Sequence, residues 1–147
     1  MSHFAEIKVD FDQKNESDLV SALEKQFGEG NVLVSENGLP LFGFQGDNRA
    51  EKAKTSADYA PPCEIVIRRK HVGGASNDVG YKRTEDGKYA AYISDYDKRS
   101  TFTTAKQNSV AQEYTAKVAE RKLKAQGYIT KRVTLDSGKI KITGSKY

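Results

Sequence analysis

The sequence predicts an α+β fold: one domain, a mostly antiparallel sheet of hairpins, with two helices packed on one face. Three observations predict it. Apolar residues alternate over short runs such as FAEIKVDF (4–11), which is the period of a half-buried strand. Two segments carry helical spacing and end at a glycine. Turn pairs such as Asp86-Gly87 send strands back antiparallel to their neighbours.

Taken in order, Phe4, Ile7, Val9 and Phe11 mark a first strand. Asn15 or Ser17 caps DLVSALEKQF, a helix carrying Leu19, Val20, Leu23 and Phe27 on one face and stopped by Gly28. NVLVS and LPLFGF read as strands joined by a turn at ENG. Residues 45–62 lack apolar periodicity and close on Pro61-Pro62, so they form a surface loop, or a short frayed helix through RAEKAK, too short to demand a domain boundary. CEIVIRRKHV is a strand, apolar on both faces at its start and cationic at its end. DVGYKRT and KYAAYIS form a hairpin whose turn requires positive φ. The longest helix runs from about Ser100 to Gln126, with Val110, Tyr114 and Val118 as its apolar stripe and Gly127 at its end. YITKRVTLD and KIKITG close the chain as a hairpin around DSG. The expected order is β-α-β-β-β-β-β-α-β-β over residues 1–147. Both halves place a glycine-ended helix before a hairpin, which leaves a structural duplication open.

The 147 residues suit one hydrophobic core. No apolar run approaches the roughly 18 residues of a membrane span, and the N-terminal MSHFAEIKVDFDQ lacks the apolar stretch of a signal peptide. A soluble, cytoplasmic protein is expected. The single cysteine, Cys63, rules out an internal disulfide and reads as a small buried thiol. The net charge of +4 is unevenly spread. Residues 1–60 hold 6 Lys/Arg against 11 Asp/Glu, whereas residues 121–147 hold 8 against one acid, Asp136. A basic end of that kind attracts polyanions or an acidic protein surface.

Catalytic signatures are absent. His3 and His71 stand far apart, no cysteine pair exists, and no nucleophile elbow or phosphate-binding loop appears. Asp95 and Asp97 could hold a hard cation, but a solvated strand end explains them as well. No catalytic residue, metal or cofactor is therefore assigned.

The candidate binding residues are cations with tyrosines among them. Arg68, Arg69, Lys70 and His71 end a strand, and Lys82 and Arg83 lie on the next. Lys131, Arg132, Lys139 and Lys141 decorate the closing hairpin. In one sheet these would merge with Tyr81, Tyr89 or Tyr92 into a stripe of the kind that binds single-stranded nucleic acid. The competing explanation is that Lys and Arg only guard solvent faces and sheet edges. Two other functions fit: a protein-interaction or oligomeric module, and a pocket for a small anion such as a nucleotide lined by Asp78, Tyr81, Arg83 and Tyr89. Asp78 and Gly80 stand apart, because a glycine inside a strand marks a bulge or a close approach.

The opening Met1-Ser2-His3-Phe4 with its Ile-Lys strand, then Asp78-Val79-Gly80-Tyr81, Asp86-Gly87 with Tyr89, Gln112, Tyr114, Gly127 and the Ser137-Gly138 turn resemble the hypothetical chloroplast open reading frame 35 family. The resemblance spans nearly the whole chain as scattered short motifs. It implies a small soluble protein of plastids, cyanobacteria, other bacteria or phages, located in the stroma, the cytoplasm or a host's cytoplasm. It carries no assigned activity to any residue. The chain departs from that pattern in the polar 45–60 loop, in Tyr81 where phenylalanine is frequent, in its basic end and in lacking Trp.

Overall fold

The computed structural model describes residues 3–146. Along the chain run β1 (Phe4–Val9), α1 (Glu16–Phe27), β2 (Leu33–Leu39), β3 (Cys63–Ile67), α2 (Arg69–Val72), β4 (Val79–Arg83), β5 (Tyr89–Ser94), α3 (Asp95–Arg99), α4 (Thr104–Ala125), β6 (Ile129–Thr134) and β7 (Ile140–Ser145). The α+β class stands. Seven described strands and four helices replace the expected eight and two. All pairings are antiparallel, in a five-stranded sheet of order β1-β5-β4-β3-β2 and a separate β6-β7 ribbon.

Alternation assigns the faces of the sheet. Ile65, Ile67, Tyr81, Tyr89, Ala91 and Ile93 turn to α1 and α4, where they meet Leu19, Leu23, Phe27, Phe102, Val110 and Tyr114 in the main core. Asn15 occupies the N-cap position of α1, but its side chain makes no capping bond. Its amide instead donates to the Tyr114 hydroxyl at 3.1 Å and accepts from Arg121 at 2.7 Å, tying α1 to α4.

Phe4, Val66, Ala90 and Tyr92 face the other way and, with Cys63 of β3, are covered by Leu41 and Ala60. The segment expected as a surface loop over 45–62 thus helps to roof the second sheet face. Residues 51–55 are exposed as expected, while Arg49, Ala60 and Pro61 are buried. Arg49 lies over the Phe4 ring at 5.0 Å and is held by Asp47 at 2.9 Å and Asp58 at 3.4 Å. A Cβ at Gly43 would stand 2.5 Å from that guanidinium, so glycine makes room for it.

The expected hairpin at ENG does not form. Glu36, Asn37 and Gly38 are absorbed into β2, which shifts register between Val34 and Leu39, with Gly38 at φ 81°. The Asp86-Gly87 turn does form, but only Gly87 has positive φ. The Thr84 N–H donates to the Lys88 carbonyl at 3.1 Å, leaving residues 85–87 as a three-residue turn rather than the two-residue one that needs positive φ at both positions. No helix among the described residues is long and apolar enough to cross a membrane.

The closing ribbon does not join the main sheet. Its inner face, with Arg132, Ile140 and Ile142, lies against α4, where Arg132 pairs with Glu113 at 2.7 Å and also with Glu120. The first glycine-ended helix, α1, leads into a single strand of the main sheet, whereas α4 leads into the detached ribbon, so the two halves do not repeat one another.

Candidate functional site

At the end of the sheet where β3 and β5 finish and β4 begins, five polar residues are buried together: Ser76, Asn77, Asp78, Ser94 and Asp97. Buried polar groups survive only when their bonds are satisfied, and here they form two clasps. The Asp78 carboxylate accepts from the backbone N–H of Phe42 at 2.9 Å and of Arg69 at 2.7 Å, and from the Arg68 guanidinium at 2.8 Å. It joins the roof segment, the start of α2 and the sheet. The Asp97 carboxylate accepts from the Ser94 hydroxyl at 2.7 Å, the Asn77 N–H at 3.0 Å and the Thr101 hydroxyl at 2.6 Å. Ser94 also caps α3, accepting from the Asp97 N–H at 3.1 Å. Gly80 has a packing reason: a Cβ there would lie 2.7 Å from Cys63 Sγ and 2.8 Å from Leu41.

Beside the clasps opens a cleft of about 350 Å³ lined by Phe44, Asp47, Arg49, Lys52, Asn77 and Tyr96, among others. Phe44 is half exposed, at 49%. Its N–H donates to the Asn77 side-chain oxygen at 2.9 Å, which fixes the loop to the network. The Arg69 guanidinium lies over its ring, 5.3 Å from the centroid, and Arg68 lies over Phe42 at 5.4 Å. The strand expected to continue through RRKH ends at Ile67; Arg69, Lys70 and His71 sit on the short helix α2, where the Asp78 carboxylate accepts the first N–H. The cleft thus sets an accessible aromatic ring against Arg69, while the lining cations Arg49 and Lys52 face Asp47 and Asp58.

The other expected site residues are distributed differently. Tyr81 and Tyr89 are buried on the helix-facing side of the sheet and Tyr92 on the roofed side, its hydroxyl donating to Glu6 at 2.9 Å. Burial raises the phenol pKa of all three, Tyr89 to about 12 with help from the Glu16 carboxylate. Arg83 is held between Glu36 at 2.9 Å and Glu16 at 2.6 Å, and those bonds lock it in the charged form. Lys82 stands 3.9 Å from Glu64. Because Tyr81, Tyr89 and Tyr92 are buried and the ribbon is a second sheet, the expected continuous stripe does not exist. The expected anion pocket fails on the same ground, since Asp78, Tyr81, Arg83 and Tyr89 are all enclosed or paired. Lys131, Lys139 and Lys141 are exposed on the ribbon, away from the tyrosines, while Arg132 is turned inward.

The Asp95–Asp97 pair does not converge on a cation position. Asp97 is buried in its clasp and Asp95 faces Lys98 at 3.8 Å. No group of three or more His, Cys, Asp or Glu among the described residues could hold a metal ion. Cys63 is fully buried, its thiol 3.4 Å from the Pro61 carbonyl, and burial raises its pKa well above the ordinary thiol value.

Phe44, Arg49, Lys52, Asn77 and Tyr96 were not singled out from the sequence. One signal was present: Phe42 and Phe44 flank a glycine just before the polar QGDN, an odd place for a ring unless the loop returns to the body.

Fold and site together define an α+β domain with an aromatic-cationic cleft at one sheet end. No family model matches the chain, and neither the curated proteins nor the solved structures provide a match.

Proposed function

We propose that this protein is a non-catalytic binding module that takes single-stranded nucleic acid, RNA or DNA, at the cleft where Arg69 lies over Phe44. The observation that carries this reading is the half-exposed Phe44 ring, engaged by Arg69, with Lys52 lining the same cleft. An accessible ring offers every base a π-face, and neighbouring cations meet the phosphates, so affinity needs no base-edge code. The buried clasps support it too: Asn77 and Asp78 hold the Phe44 loop and α2 in place before any ligand arrives, which lowers the ordering cost of binding.

The test is a fluorescence-anisotropy titration of a labelled single-stranded oligonucleotide across salt concentrations. Log affinity should fall by about 0.7 per phosphate contact for each tenfold rise in salt. Phe44→Ala should weaken binding by about 1–3 kcal/mol and leave that slope nearly unchanged; Arg69→Ala should weaken binding and flatten it. Affinity indifferent to salt, or to both substitutions, would overturn the reading.

A further inference from the structure

We infer that the outward face of the β6–β7 ribbon docks on the edge strand β2 of a second copy of this chain. Among the described residues six large apolar side chains are exposed, and five of them fall on these two surfaces. Ile129, Val133 and Leu135 lie on the ribbon and its turn, at 49, 40 and 44% exposure; Leu33 and Val34 lie on β2, at 39 and 48%. The sixth, Phe44, belongs to the cleft.

Register fixes which ribbon face is bare. Arg132 is paired across the strands with Ile142 and Thr134 with Ile140, and these four turn toward α4. Ile129, Lys131, Val133 and Lys141 therefore turn away from it, while Lys139, at the turn end, borders the groove beside α4. Lys131, Lys139 and Lys141 are exposed, and no carboxylate among the described residues lies within ion-pair distance of them. The surface is aliphatic and cationic, and its counterpart should be aliphatic and acidic.

That counterpart exists on the same chain. β2 ends the five-stranded sheet with one edge unpaired, presenting Leu33 and Val34 on its two faces and exposed Glu29 just before it, while Glu36 is tied to Arg83. An edge strand is a ready contact surface for a second copy, and its exposed aliphatic side chains match those on the bare ribbon face. Arg132, Ile140 and Ile142 fix the ribbon on α4, so the contact joins two copies rather than folding back within one. A nucleic acid suits this face less, since it offers aliphatic side chains and no ring to stack on. The two surfaces differ, so the contact is heterologous and propagates head to tail unless it closes into a ring. One ribbon face is small beside a standard interface of about 800 Å² per partner, so assembly is weak and rises with concentration.

Light scattering coupled to size exclusion, from micromolar to millimolar protein, tests the inference. The average mass should rise with concentration and fall with salt. Lys131→Glu/Lys139→Glu/Lys141→Glu should stay monomeric, as should Glu29→Lys/Val34→Lys, which leaves the Arg83–Glu36 pair in place. An equimolar mixture of the two should associate again, because each reversed surface then meets its complement. Val133→Thr/Leu135→Thr, which changes no charge, should also be monomeric. A wild-type protein that is monomeric throughout, or folded variants that do not associate on mixing, would overturn it. So would a triple-lysine variant that assembles like the wild type but loses oligonucleotide binding, which would assign the face to nucleic acid.

Discussion

The five-stranded sheet and the closing ribbon are both built from antiparallel strands rich in Lys and Arg, yet they treat those cations in opposite ways. In the sheet and its roof, Arg49, Arg68 and Arg83 are each matched by carboxylates, and Asp78 and Asp97 are buried among donors. In the ribbon, Arg132 alone is matched, and Lys131, Lys139 and Lys141 stand in solvent. The difference follows from coverage. A cation drawn into a sheet covered on both faces, as Arg49, Arg68 and Arg83 are, needs a counter-ion. A ribbon covered on one face can leave its charges hydrated. A lysine count in the sequence therefore says little about function until the faces are known.

The largest effect expected tests the sheet side. Asp78→Ala removes the acceptor of two backbone N–H groups and of Arg68, and should cost about 3 kcal/mol in denaturant unfolding, toward the lower end for a broken buried pair because Arg68 is partly exposed. It should also free the Phe44 loop and so abolish binding. A loss under about 0.5 kcal/mol, the ordinary surface value, would break the contrast.

Glu113→Gln sharpens the boundary between the two regions. Burial pushes the Glu113 carboxyl up, but Arg132 and Lys25 bond to it and hold it below the usual range. A lowered folded pKa gives stability that is present above the unfolded value of about 4.3 and is lost as pH falls through the folded one. The substitution should cost about 2 kcal/mol at neutral pH, less at acid pH, and amide exchange should quicken in β6 and β7 while the sheet stays protected.

At alkaline pH the order reverses, and the sheet suffers first. Tyr89 is raised to about 12 by burial and then by Glu16. Stability from its neutral form is complete below about 10, the unfolded value, and is lost as pH rises toward 12. Tyr81, Tyr92 and Cys63 shift the same way, so Tyr89→Phe should remove only part of the alkaline loss. An unchanged pH profile in that variant would remove Tyr89 from the account. The smallest effect belongs to the ribbon: Lys139→Glu/Lys141→Glu should change unfolding free energy by under about 0.5 kcal/mol, because nothing in the fold depends on those amines.

Much of the fold was legible because periodicity reports burial. The alternation of Tyr89, Ala91 and Ile93 against Ala90, Tyr92 and Ser94 assigns both faces of β5. Gly28 and Gly127 do mark the ends of α1 and α4. What stayed hidden depends on distant partners. Nothing local tells that Asp78 will accept the N–H of Phe42, thirty-six residues earlier, or that Arg49 will lie over Phe4. Asp78 and Gly80 lie at the same end of the sheet as the cleft, but both have structural reasons. The accessible chemistry lies next to them, on a loop whose apolar signal was two phenylalanines around a glycine.

The most direct measurement compares the two regions in one experiment: oligonucleotide anisotropy titrations of wild type, Phe44→Ala, Lys131→Glu/Lys139→Glu/Lys141→Glu and the two combined, at one low salt concentration and one dilute protein range. The account predicts that Phe44→Ala loses about 1–3 kcal/mol of affinity at unchanged net charge, and that the same substitution costs as much again when added to the ribbon variant, whose net charge falls from +4 to −2 and whose nonspecific attraction falls with it. The opposite pattern, with Phe44→Ala unaffected and the ribbon variant silent, would contradict it.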